Sequence, residues 1–184
     1  MTEPVEDGKM SRGDREREQL QERAKELDCL YRVEEELERD EAETDEVLQA
    51  VAERLPAGWQ YPESCHALII YRDRVYRDPG YQRTAWTLST PLFLFGDRVG
   101  KVTVSYDREH PAADEGPFLK EERRLLEAIA GRVGNFLMQR CLATLPGRST
   151  PDDTTGDGDL HSVLEFLRRT DNKLLVRITR KMIN

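Results

Sequence analysis

Four short runs of strand-forming residues, crowded between residues 67 and 106 and divided by turn signals, constrain this chain most. Ala67-Leu68-Ile69-Ile70-Tyr71 is an unbroken apolar run, the pattern of a central strand covered on both faces. Arg72-Asp73-Arg74 turns the chain into a short strand around Val75-Tyr76, and Asp78-Pro79-Gly80 breaks it. Residues 86–95 form the next strand. Gly96-Asp97 suits a tight hairpin with glycine at its first central position. The chain returns over 99–106, where Val102, Val104 and Tyr106 alternate with Lys101, Thr103 and Ser105. That period of two marks one apolar and one polar face. The expected sheet is antiparallel.

Helical patterns bracket the strands. Residues 15–39 are rich in Glu, Arg, Gln and Leu, all good helix formers. Leu20, Leu27, Leu30 and Leu37 fall on a and d positions of a heptad, with Arg23 and Glu34 at the intervening ones. Two readings stand side by side: one amphipathic helix lying on its own domain, or a short dimeric coiled coil. After a break over 40–43, Thr44 or Asp45 caps a second helix with Val47, Leu48, Val51 and Leu55 on its apolar face, ended by Pro56 and Gly58. Pro117 suits the first turn of a third helix, and Glu121 and Glu122 its positive end. Leu125, Leu126, Ile129, Val133, Phe136 and Leu137 form its stripe, which runs to Cys141 or Leu142.

The fold class is therefore α+β, with helices mainly on one face of the sheet and amphipathic helices flanking it. Residues 1–14 are expected to be a disordered lead, 15–143 the folded domain, and 144–159, dense in Pro, Gly, Ser, Thr and Asp, a flexible linker. Residues 160–184 read as the start of a further helical segment that the native chain continues.

With 36 acidic against 28 basic residues, the net charge is −8. No nucleic-acid partner is expected, because phosphate binding needs a concentrated basic surface. Cys29, Cys65 and Cys141 are far apart and odd in number, which fits reduced thiols in a cytoplasmic protein rather than a disulfide framework or a zinc site. No apolar run approaches the ~20 residues that span a bilayer.

No phosphate-binding glycine loop, dinucleotide fingerprint or metalloprotease or hydrolase motif occurs, so no cofactor, metal or nucleotide is assigned. His66 follows Cys65 on a strand, where neighbours point to opposite faces and make a poor metal pair. His110 reads as an exposed loop residue. His161 lacks the sequence box of a phosphoacceptor histidine. Glu34-Glu35-Glu36 and Asp114-Glu115 read as solvated acids. No catalytic residue is assigned. The large aromatics around the sheet either fill its core or line a pocket. In the second case Trp59, Tyr81, Arg83, Trp86, Lys101 and Thr103 are the candidate ligand-binding residues, and a small molecule the ligand.

Four strings resemble GAF-like sensor modules of bacterial and archaeal signalling proteins: Glu26-Leu27-Asp28-Cys29-Leu30-Tyr31, Trp59-Gln60-Tyr61-Pro62-Glu63, Gly100-Lys101-Val102-Thr103-Val104-Ser105-Tyr106, and Asp114-Glu115-Gly116-Pro117-Phe118-Leu119-Lys120-Glu121-Glu122-Arg123. The resemblance spans residues 20–140. The tail, with Val163-Leu164-Glu165-Phe166-Leu167-Arg168-Arg169-Thr170-Asp171, looks like the lead-in to parts related to phosphoenolpyruvate synthase and pyruvate phosphate dikinase. The resemblance implies a non-catalytic sensory module that signals through its flanking helices to such an output domain or to a histidine kinase. Neither the cyclic-nucleotide string of GAF domains nor a chromophore-attaching cysteine is present. Leucine stripes on both sides of the module imply a homodimer, with Leu20, Leu27, Leu30 and Leu37 at its seam. The competing reading is a ligand-free dimerisation module.

Overall fold

The computed structural model describes residues 12–144. Helix α1 (Arg12–Leu37) and helix α2 (Thr44–Arg54) lead through two 3₁₀ turns (Leu55–Gly58 and Pro62–Ser64) into the sheet. Its strands are β1 (Cys65–Tyr71), β2 (Arg74–Arg77), β3 (Thr87–Leu94) and β4 (Asp97–Tyr106), followed by helix α3 (Lys120–Ala143). The chain divides into two compact units, Met1–Leu137 and Met138–Asn184. The sheet and the sites discussed below belong to the first. Residues 12–14 are helical, although they fall in the segment expected as a disordered lead. The expected linker from residue 145 on and the C-terminal helical segment, including His161, lie outside the described residues.

The four strands form one open antiparallel sheet in the order β2-β1-β4-β3. The register sorts the side chains, because residues directly opposite each other share a face. Cys65, Ala67 and Ile69 oppose Tyr106, Val104 and Val102, and Leu88 and Thr90 oppose Val104 and Val102. This face meets the helices: Tyr76 Oη donates to Asp45 in α2 at 2.7 Å, and Tyr106 Oη to Glu122 in α3 at 3.0 Å. Ile69, Val102, Val104 and Tyr106 are fully buried there. So are Val47, Leu48, Val51 and Leu55 around α2, and the whole expected stripe of α3 is buried as well.

Local chemistry departs from expectation at three places. The β3–β4 turn is Phe95-Gly96, with φ of 51° and 86°, closed by the Leu94–Asp97 pair. Glycine therefore takes the second central position of a type I′-like turn, not the first. The alternation of β3, which buries Leu88, Thr90, Leu92 and Leu94, sets that register. Helix α2 is capped by the backbone of Glu43 with no side-chain bond; Asp45 is committed to Tyr76 and Arg74 instead of to the helix end. Pro117 precedes α3 instead of standing in its first turn; Glu121 and Glu122 do lie in that turn, with Glu122 2% exposed.

A bulge separates the Leu92–Gly100 and Phe93–Arg98 pairs and leaves Val99 unmatched. A Cβ on Gly100 would lie 1.9 Å from the Ile70 carbonyl oxygen. Only glycine lets the two central strands approach this closely.

Both sheet edges are blunted. The Gln49 side chain accepts from Arg77 N at 3.3 Å and donates to Arg77 O at 2.8 Å, imitating a strand neighbour on β2. On β3, Arg123 Nη1 donates to Ser89 O at 3.1 Å. Two residues on, Pro91 supplies no N–H to that edge.

Candidate functional site

The loop 78–86 crosses one end of the sheet's other face. Asp78 ties it down: Oδ2 accepts from Ala67 N at 2.6 Å, and Oδ1 lies 2.9 Å from His66 Nδ1 and accepts from Gly80 N at 2.9 Å. Ser105 Oγ donates to Gln82 O at 3.3 Å. The expected polar face of β4 is therefore covered at this end, with Thr103 and Ser105 buried.

The six candidate ligand residues separate into two groups. Trp59 is fully buried on the helical side, next to Gln60, whose N–H bonds Glu122 in α3. The Trp59 indole Nε1 has no hydrogen-bond partner among the described residues. Tyr81 and Arg83 ride on the loop over the opposite face, half-buried and exposed, and Trp86 is half-buried where that loop enters β3. Lys101 and Thr103 stand on the opposite face itself, Lys101 half-buried and Thr103 sharing its hydroxyl with Ser89 at 2.9 Å.

Beneath the sheet lies a polar cluster that the sequence did not reveal. Glu122 accepts from Gln60 N at 2.7 Å, Leu119 N at 2.7 Å and Tyr106 Oη at 3.0 Å. The Leu119 bond is half of a capping box, with the third helical residue reaching back to the cap N–H. Burial raises the Glu122 carboxyl above its ordinary value, against the pull of these three donors. Burial also pushes the Cys29 thiol up to about 12 and raises the Cys65 thiol and the Tyr106 hydroxyl well above their usual values. His110 is not a free loop residue. It stacks on Tyr61 at 3.9 Å between ring centroids, and its Nε2 lies 2.6 Å from Ser64 Oγ. Ser64 is 2% exposed, so this hydroxyl–imidazole pair anchors the chain after β4 rather than presenting a nucleophile.

The third feature is a groove of about 410 Å³ between α1 and α3, lined by Arg23, Glu26, Leu27, Leu30, Arg124 and Ala128 among others. Glu34 Oε2 meets Arg132 Nε at 3.6 Å further along. Glu26 lies close enough to Glu121 and Glu122 to feel their charge, and Glu34 meets Arg132 further on, so the two helices run parallel. Of the four candidate seam leucines, Leu20 and Leu27 are 65% and 68% exposed, Leu30 lines the groove, and Leu37 is half-buried. None of the six candidate ligand residues lines this groove.

Among the described residues, fold and sites together define a mixed α/β domain with a four-stranded open antiparallel sheet, three helices and one sheet face turned away from them. No protein-family model matches the chain, and no curated protein matches it. Among the described residues no helix is long and apolar enough to cross a membrane, and no cluster of His, Cys, Asp and Glu could hold a metal.

Proposed function

We propose that this chain is a GAF-like, non-catalytic regulatory module of the cytoplasm. It works as a parallel homodimer and passes its state along α1 and α3 to an attached output domain of the phosphoenolpyruvate synthase-like or histidine kinase kind. The observation that carries this reading is the parallel pairing of α1 and α3, with Leu20, Leu27 and Tyr31 left 65%, 68% and 65% exposed beside the groove. Leucines in a heptad on an exposed helix face are what a second copy of the same helix covers. Parallel helices at the two ends of the module give a direct mechanical path between the segments on either side of it. The strings that resemble GAF domains fall on α1, the entry to β1, β4 and the lead into α3.

A ligand-free dimerisation module is the second reading. The burial of Trp59 and the closed Thr103–Ser89 pair favour it, because they withdraw two candidate ligand contacts.

Sedimentation equilibrium tests the dimer. The wild type is expected to be a dimer in the micromolar range, and Leu27→Glu to dissociate at least about tenfold more readily with unchanged circular dichroism, since Leu27 supports no core. A wild type that stays monomeric at high micromolar concentration overturns the proposal. Native mass spectrometry of the dimer purified from a lysate separates the two readings: extra mass on it means a bound ligand, and its bare mass the scaffold.

A further inference from the structure

We infer that the sheet face turned away from α2 and α3 docks an acidic polypeptide segment of a partner protein, one that carries apolar side chains between its carboxylates. The register lays this face out in rows. Arg77, Leu68, Thr103 and Ser89 stand in one row across β2, β1, β4 and β3, and Val75, Ile70, Lys101 and Pro91 in the next. Phe93 and Arg98 pair beyond them. The loop 78–86 covers the end that bears His66 and Ser105, and Leu68 and Thr103 in the middle of the first row are buried as well. The second row and the far end are more open: Val75 is 57% and Phe93 54% exposed, Arg77, Pro91 and Arg98 are exposed, and Ile70 and Lys101 are half-buried.

Charge decides what the open face accepts. The chain carries a net charge of −8, yet no strand position on this face holds a carboxylate. Its three cations, Arg77, Arg98 and Lys101, form no ion pair with any carboxylate among the described residues. Elsewhere on the same chain several arginines are matched, Arg32 to Asp28, Arg54 to Glu36, Arg74 to Asp45 and Arg123 to Glu115, while Arg72, Arg83 and Arg124 likewise form no ion pair among the described residues. Unmatched cations around an apolar row are complementary to a segment that alternates carboxylates with apolar side chains. The row from Val75 to Pro91 spans three strand spacings, about 14 Å, which suits a short peptide.

A nucleic acid fits less well. Phosphate binding draws on many cations at once, and the remaining surface of this chain repels a polyanion. Base stacking needs a platform of aromatic rings, and Phe93 is the single ring on these rows.

The inference does not rest on the dimer. The test uses the full chain and a fluorescent octapeptide of alternating acidic and apolar residues, with fluorescence anisotropy at low and moderate salt. Micromolar binding that weakens with salt is expected. The Arg77→Glu/Arg98→Glu variant, altered only at exposed positions, is expected to bind at least about tenfold more weakly with an unchanged melting curve, and Leu27→Glu to bind normally. Adding Lys101→Glu deepens the loss. Amide chemical-shift changes on titration are expected at Ile70, Val75, Phe93 and Arg98 and not along α1. No binding, binding that the charge variants leave intact, or stronger binding of a single-stranded oligothymidine than of the peptide overturns the inference.

Discussion

Glu122 sets an electrostatic contest inside one side chain. Three donors favour its charge, and burial opposes it; burial prevails, and the carboxyl sits above its ordinary value. A folded-state value raised above the unfolded one gives stability that is fully present below the ordinary carboxyl range. That stability is lost as pH rises through the folded value. Glutamine does not titrate, so Glu122→Gln is expected to gain on the wild type as pH rises through the ordinary carboxyl range, until the difference levels off above the folded value. Urea unfolding of both proteins from mildly acid to neutral pH checks this. A difference that is flat or moves the other way would mean that the three hydrogen bonds outweigh burial. Nothing in the sequence marked Glu122 out from Glu121, because the partners that distinguish it, Gln60 and Tyr106, lie 62 and 16 residues away. His110 was hidden for the same reason: its partner Ser64 is 46 residues distant.

Elements were more legible than residues. The α2 face and the α3 stripe could be read because helical periodicity records burial directly, and the strands because alternation does. Turn registers were less legible: Phe95 at φ 51° and Arg72 at φ 54° are conformations that local propensity disfavours and that strand pairing imposes. The candidate docking face was not legible at all. Its lack of carboxylates emerges only when the register shows which residues share a side. Their surroundings also give two glycines opposite fates. Gly100→Ala drives a Cβ into the Ile70 carbonyl between the two central strands. It is expected to cost more than the about 1–3 kcal/mol of ordinary overpacking. Gly131, exposed in mid-α3, would place its new methyl in open space, more than 4 Å from any described atom beyond its chain neighbours and the adjacent turns of its own helix backbone. Gly131→Ala is expected to stabilise by about 0.5–1 kcal/mol, the usual gain from removing a helical glycine. Denaturant midpoints of the two variants decide both signs; a Gly100→Ala protein of wild-type stability would refute the pairing of β1 with β4 at this point.

At the scale of the whole molecule, the helical layer is unevenly supported. Helix α1 has 26 residues and is about 39 Å long. Of its described side chains only Cys29 and Val33 are buried. The part before residue 29 offers exposed Leu20 and Leu27 and, from residue 23 on, the groove shared with α3. A helical stretch with few tertiary contacts is marginal by itself in water, since helices in proteins draw most of their stability from packing an apolar face. If a second copy supplies that packing, folding and association are linked by mass action. The melting temperature of the wild type is then expected to rise by about 1–3 °C for each tenfold increase in protein concentration. Amide exchange at residues 20–28 is expected to slow along with it, while β1 and β4 remain unchanged. Leu27→Glu should melt at a temperature that does not depend on concentration. A wild type whose melting temperature and α1 exchange are equally independent of concentration would mean that α1 holds on its own domain alone, and the stripe of leucines would then need a partner other than this chain.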